Sequence, residues 1–203
     1  MHVIRVLVAE DQGMMRGALV QLLDLEDDLE IVAQVARGDE IVPAALDTRP
    51  DVAVVDIELP GTDGIEAARL LRAAVPTCAV VIVTTFGRPG YLRRAFDAGA
   101  RAFLVKDAPV ESLAQAIRRV MAGETVVDPD LAASALVLGT NPLTDRERDV
   151  LRAAAGGAPL AEVAGALHLS ESTVRNYLSS AIGKTGTRNR TEATRVAASN
   201  GWL

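Results

Sequence analysis

Four apolar runs in this chain each end in side chains able to do chemistry. Residues 3–9 lead to Glu10 and Asp11, 52–55 to Asp56, 79–83 to Thr84 and Thr85, and 102–105 to Lys106 and Asp107. If the runs are neighbouring strands of one sheet, three carboxylates, a hydroxyl and an ammonium meet at one edge. Carboxylates that cannot separate raise a pKa or recruit a cation, and Mg²⁺ suits them because it takes carboxylate oxygens yet keeps waters for an incoming phosphate. Aspartate is a known covalent nucleophile toward phosphoryl groups. Asp56 stands alone after its run and is the candidate acceptor, while the adjacent pair Glu10 and Asp11 holds the metal. Thr84 can donate a hydrogen bond to a phosphoryl oxygen, and Lys106 can pair with it as a point charge.

The elements that must position these groups follow from periodicity. Val52–Val55, with three β-branched residues in four, reads as a strand buried on both faces, the requirement at the centre of a parallel sheet. Strands are also expected over 3–9, 30–36, 79–85 and 101–105. Helices are expected between them: from the Met15, Leu19, Leu22 and Leu23 spacing, over 38–47 with an early interruption at Pro43, from Ile65 to a stop at Pro76, over 91–98, and from Pro109 to Gly123. Met14, on another face of the first helix, is either core or a partner contact. Five strands alternating with five helices imply an α/β, doubly wound parallel sheet, since parallel neighbours need helical crossovers. Ligands of such sheets bind at the carboxyl ends of the strands, where these acids stand.

The remainder reads as a different domain. Residues 124–142 carry Pro129, Gly139 and Pro142 around LAASALVL, a linker with a short helix, so the expected division is 1–123, 124–142 and 143–203. After it, Thr144 and Glu147 have capping-box spacing, with Val150, Leu151 and Ala154 as the inward stripe. Gly156-Gly157 ends that helix, Leu160–Leu167 is a second, and Ser170 caps a third. On the third, Val174, Leu178, Ala181 and Ile182 face inward, while Ser172, Arg175, Asn176 and Ser179 share the outer face, with Thr173 and Lys184 also in reach of it. Two short helices joined by a tight turn, the second presenting Arg, Asn and Ser, match a helix-turn-helix with its recognition helix in the major groove of DNA. A fourth helix over 191–199 precedes Trp202, which is expected to pack on the small core.

Composition agrees with two functions in one chain. Residues 1–140 hold 13 cations against 21 anions, a net −8, whereas residues 141–203 hold 8 against 6, a net +2. Between Ser170 and Arg195 five cations stand against two anions, a local excess suited to nucleic acid. The single cysteine excludes an intramolecular disulfide, and the chain has neither a signal-like start nor a membrane-length apolar segment, so a cytoplasmic protein without membrane insertion is expected. His2 and His168 have no metal-spaced partner.

These residues carry a resemblance. Glu10-Asp11, Asp56 followed by Ile-Glu-Leu-Pro-Gly, Thr84 and Lys106 resemble the receiver domain of two-component response regulators. Leu143-Thr-Asp-Arg-Glu147, Ser172-Thr-Val-Arg-Asn176 and Arg188-Asn-Arg190 resemble the LuxR-type DNA-binding domain of the NarL/FixJ class. The resemblance implies a flavodoxin-like receiver followed by a small four-helix, all-α domain. It implies Mg²⁺ held by Glu10, Asp11, Asp56 and the backbone carbonyl of Glu58, and phosphorylation of Asp56 by a sensor histidine kinase. It further implies that Thr84 and Phe103 act as a switch, that phosphorylation favours a homodimer through the first and fifth helices, and that the dimer binds promoter DNA to regulate transcription. Gly183 and Thr185 flank Lys184 where the family has bulkier residues, so the recognition helix is expected to fray early, and Tyr177 replaces a frequent histidine.

Two other readings compete. A Mg²⁺-dependent phosphohydrolase of the haloacid-dehalogenase type also places an aspartate after a buried strand, but it needs a second aspartate where this chain has Glu58, and it does not end in a helix-turn-helix. A DNA-binding dimer indifferent to phosphorylation is the other. The plain alternatives are solvated strand ends at the first site and a solvated helix face at the second; Thr85 and Arg88 are given no role.

Overall fold

The computed structural model describes residues 3–85, 87, 89–107, 109, 111–128, 131–133 and 141–203. His2, Arg88 and most of the expected linker helix lie outside them; of that helix, residues 131–133 are helical. The chain divides into two compact units, the first of residues 1–87 and 92–133 and the second of residues 88–91 and 134–203.

In the first unit, β1 (Ile4–Ala9), β2 (Leu29–Val35), β3 (Val52–Val55), β4 (Ala79–Thr84) and β5 (Ala102–Val105) alternate with α1 (Gly13–Leu23), α2 (Ile41–Thr48), α3 (Gly64–Ala74), α4 (Pro89–Ala98) and α5 (Glu111–Met121). With a sixth strand, β6 (Val126–Val127), all strand pairs are parallel, in the order β2-β1-β3-β4-β5-β6. Val6, Val8, Val52, Val54, Val81 and Val83 join one core cluster with Leu23 of α1 and Leu113, Ile117 and Val120 of α5. The intervening Leu7, Ala53, Val55 and Ile82 are equally buried. Both faces are therefore covered, which is why the strands read as continuous apolar runs.

The sixth strand, Val126–Val127, corrects the expected five. The chain leaves α5, turns at Gly123 and pairs with β5 through Ala102↔Val126 and Phe103↔Val127. Two residues are too few to show a period, so a strand of this length reads as part of a linker. Pro43 is a second correction. A 3-10 turn, Gly38–Glu40, precedes α2, which puts Pro43 in the helix's first turn, where its missing N–H would be unpaired in any case and interrupts nothing. Met14 is 92% exposed and so is not core. Cys78 is buried, and its burial, aided by the Asp51 charge, pushes the thiol up to about 12, leaving it a neutral apolar filler.

The second unit contains α6 (Asp145–Ala154), α7 (Leu160–Leu167), α8 (Glu171–Thr185) and α9 (Arg190–Ser199). Its core joins Val150, Leu151, Val163, Val174, Leu178, Ala181, Ala193 and Ala197, with Trp202 packed against it. Helix α8 does not fray at Gly183. Thr185 Oγ donates to the Ala181 carbonyl at 2.8 Å, and Gly186, at φ 64°, supplies the left-handed residue that closes the helix. The capping box on α6 is complete: Thr144 N–H donates to Glu147 Oε2 at 2.7 Å and Glu147 N–H to Thr144 Oγ1 at 3.3 Å. Among the described residues, no helix is long and apolar enough to cross a membrane.

Two expectations follow. Gly64 opens α3 where a Cβ would lie 1.8 Å from the Asp56 carbonyl oxygen, so Gly64→Ala forces backbone apart and is expected to cost about 2–3 kcal/mol in urea unfolding followed by circular dichroism. Burial opposes the Glu147 charge, but bonds from Lys184, Ser180 and Thr144 outweigh it and lower the carboxyl pKa from 4.5 to about 2. A depressed carboxyl pKa stabilises the fold fully above pH 4.5 and loses that contribution as pH falls toward 2, up to about 3 kcal/mol. In an acid titration read by Trp202 fluorescence, Glu147→Gln is expected to lose this pH-dependent part of the transition.

Candidate functional site

The strand order reverses between β1 and β3: β1 connects outward to β2 on one side, whereas the chain proceeds from β3 to β4 on the other. At such a switch point the connections diverge and leave a crevice at the carboxyl ends of the two strands. Glu10 and Asp11 follow β1, and Asp56 follows β3, its N–H donating to the Ala9 carbonyl at 2.9 Å. The register Val55↔Ile82 and Val81↔Ala102 carries the alignment across the sheet, so Thr84 at the end of β4 and Lys106 just past β5 reach the same edge.

The side chains meet there. Lys106 Nζ lies 3.0 Å from Asp56 Oδ2 and 2.6 Å from Glu10 Oε2, and all three groups are at least nine-tenths buried. One carboxylate oxygen each from Glu10, Asp11 and Asp56 fall within 4.8 Å of one another, with Asp11 exposed. Burial works against the Lys106 ammonium, but its bonds to Glu10 and Asp56 outweigh that and hold its pKa above the ordinary lysine value. Asp56 Oδ1 accepts the Ile57 N–H at 2.8 Å. Glu10 Oε2 is buried against the Lys106 ammonium. An all-oxygen set with more acids than cations and an exposed member fits a hard divalent cation.

Other expected residues fall as follows. Thr84 is 1% exposed, and its carbonyl accepts the Lys106 N–H at 2.8 Å. Phe103 is fully buried on β5, level with Ile82. Glu58 is exposed in the loop after Asp56, a loop held by Gly64 N–H to the Ile57 carbonyl at 2.9 Å and Gly38 N–H to the Pro60 carbonyl at 3.1 Å. The sequence reading missed Arg16, whose guanidinium donates to the Glu10 carbonyl at 2.5 Å and ties α1 to the acidic loop. It is the one cation in the first turn after the acidic pair, a signal that was available.

The second unit presents its own surface. Helices α7 and α8 are joined at His168, which takes the left-handed conformation (φ 55°), while the Leu169 N–H bonds the Ala164 carbonyl at 2.9 Å. That turn is the role found for His168. Ser172, Arg175, Asn176 and Ser179 on α8 are all exposed. Thr173 is half-buried, its hydroxyl 2.8 Å from Ser170 Oγ. Lys184 Nζ donates to Glu147 Oε2 at 2.8 Å, and Arg190 donates to the Ala158 and Gly157 carbonyls.

Comparison with known proteins gives the two units separate matches. Residues 6–118 match the response regulator receiver domain, and residues 141–197 match bacterial regulatory proteins of the luxR family. The chain is 44% identical to the transcriptional regulatory protein DesR of Bacillus subtilis, over 98% of this chain and 99% of that one. It is also 44% identical to the response regulator RamR of Streptomyces coelicolor, over 99% and 98%. Among solved structures, the response regulator ChrA of a heme-sensing two-component system aligns over 100% of both chains at 32% identity with a TM-score of 0.59. The RcsB–DNA complex shares the fold at 20% identity and a TM-score of 0.70, covering 98% of this chain and 99% of that one. With both matches in order along the chain and the acidic edge assembled in the first, the protein belongs to the response regulators that join a receiver domain to a LuxR-type helix-turn-helix DNA-binding domain.

Proposed function

We propose that this protein is a phosphorylation-controlled transcriptional regulator whose phosphoacceptor is Asp56. The observation that carries the reading is the Lys106 ammonium seated between Glu10 and Asp56, with Asp11 beside them. Glu10, Asp11, Asp56 and the Glu58 backbone carbonyl would hold Mg²⁺, which when bound supplies charge neutralisation for an incoming phosphoryl group. Asp56 attacks phosphorus with a carboxylate oxygen, so no proton need leave the nucleophile. The new O–P bond forms as the N–P bond of a phosphohistidine on a sensor kinase breaks, and the departing imidazole nitrogen takes a proton from water. Lys106 then transfers its contact from the carboxylate to the phosphoryl oxygens, and the Thr84 hydroxyl donates to another of them. Phe103 changes rotamer in step.

The change reaches the surface of α4, β5 and α5 and favours a homodimer through α1 and α5, so that two recognition helices read two half-sites of promoter DNA. Ser172, Arg175, Asn176 and Ser179 face the DNA. We take the receiver as residues 1–123, the linker as 124–142 and the DNA-binding domain as 143–203, and place the protein in the cytoplasm.

Asp56→Asn is expected to abolish the phosphoadduct that the wild type gains from acetyl phosphate and Mg²⁺ in intact-mass measurement; an adduct retained by the variant refutes the assignment. With beryllofluoride and Mg²⁺, the solution mass of the wild type is expected to rise from that of a monomer toward that of a dimer, and an unchanged mass removes the phosphorylation-driven step.

A further inference from the structure

Lys184 reads from the sequence as one more cation for DNA, yet its ammonium lies 2.8 Å from Glu147 Oε2. Glu147 is 3% exposed, and both of its oxygens are engaged. Oε2 accepts from Lys184 and from the Thr144 N–H, and Oε1 accepts the Ser180 hydroxyl at 2.7 Å. Ser180 and Lys184 are four residues apart on α8 and therefore share one face of it, so a single carboxylate rooted in the first turn of α6 grips two successive turns of the recognition helix.

The packing beneath α8 gives this grip its importance. The residues of α8 buried there are Val174, Leu178 and Ala181, and those of α9 in the same cluster are Ala193 and Ala197. Apolar contacts are non-directional, so they set the rotation of a helix less sharply than directional bonds do. Hydrogen bonds to a buried, immobile carboxylate are directional and lose strength steeply when bent or stretched. Ser172, Arg175, Asn176 and Ser179 lie on the exposed side of the same helix, so a rotation of α8 displaces every one of them together.

We propose that Glu147 is a positioning residue for DNA recognition: with Ser180 and Lys184 it fixes the rotation and axial setting of α8, and Lys184 serves this clamp rather than a DNA phosphate. The proposal rests on the helix-turn-helix binding DNA through α8. It divides the cations of this segment by task, with Arg175 on the DNA side and the partly exposed Lys184 ammonium held by Glu147.

The test uses the full chain and a duplex enriched from a random-sequence pool by the wild type, with binding followed by anisotropy over a series of salt concentrations. Glu147→Gln, Lys184→Gln and the double variant are first checked for folding by circular dichroism and Trp202 fluorescence. Each single variant is expected to bind about tenfold more weakly, with the double variant no weaker than the worse single one, because both remove the same clamp. The slope of log K against log salt is expected to stay at the wild-type value for Lys184→Gln and to become shallower by about 0.9 per subunit for Arg175→Ala. A Lys184→Gln slope shallower by that amount, losses that multiply in the double variant, or folded variants that bind like the wild type each overturn the proposal. If Glu147→Gln does not fold, Lys184→Gln alone decides through its slope and affinity. A wild type that enriches no duplex overturns the DNA-binding premise itself, and an Arg175→Ala slope equal to the wild type's overturns only the placement of Arg175.

Discussion

A buried excess of negative charge governs the first unit. Glu10 and Asp56 share one ammonium, Lys106, in a setting from which water is nearly excluded, and Asp11 adds a third carboxylate at the rim. Lysine can neutralise one of these charges, so attraction and desolvation do not balance. The fold maintains this condition because the acids are fixed to the ends of hydrogen-bonded strands and cannot move apart. The parallel sheet that holds them is covered on both faces.

The second unit uses the same residue types to the opposite end. There one carboxylate, Glu147, meets one ammonium, Lys184, and two neutral donors from Thr144 and Ser180, so charge and hydrogen-bonding capacity are both met. The result is a joint between two helices with its carboxylate oxygens both bonded. Stoichiometry of charge, rather than the identity of the residues, separates the two clusters within a single chain.

The surfaces that the two units expose differ in kind as well. The acidic crevice concentrates its groups by convergence, since β1, β3 and β5 each contribute from a distant part of the sequence. The exposed polar face of α8 is local, because residues 172, 175, 176 and 179 recur with the helix period and need only an N-cap at Ser170 and an apolar stripe opposite them. Sites of the second sort are visible in a periodicity plot, whereas sites of the first sort depend on sheet order.

Much of both was legible in advance. The apolar runs and their terminal acids, hydroxyl and amine were read as strands ending in a common edge, and the capping box at Thr144, the Ser170 N-cap and the inward stripe of α8 followed from local rules of spacing. Local periodicity and cap chemistry are properties of the chain itself, so the sequence by itself determined the alternation of elements, the two-part organisation and the candidate chemistry. What only the tertiary structure decided is pairing: that Lys106 sits between Glu10 and Asp56, that Arg16 closes the acidic loop, that Val126–Val127 joins the sheet, and that Lys184 turns to Glu147. Those outcomes depend on contacts between residues tens of positions apart, and no period or cap rule specifies which distant partner a long side chain or a two-residue strand will meet.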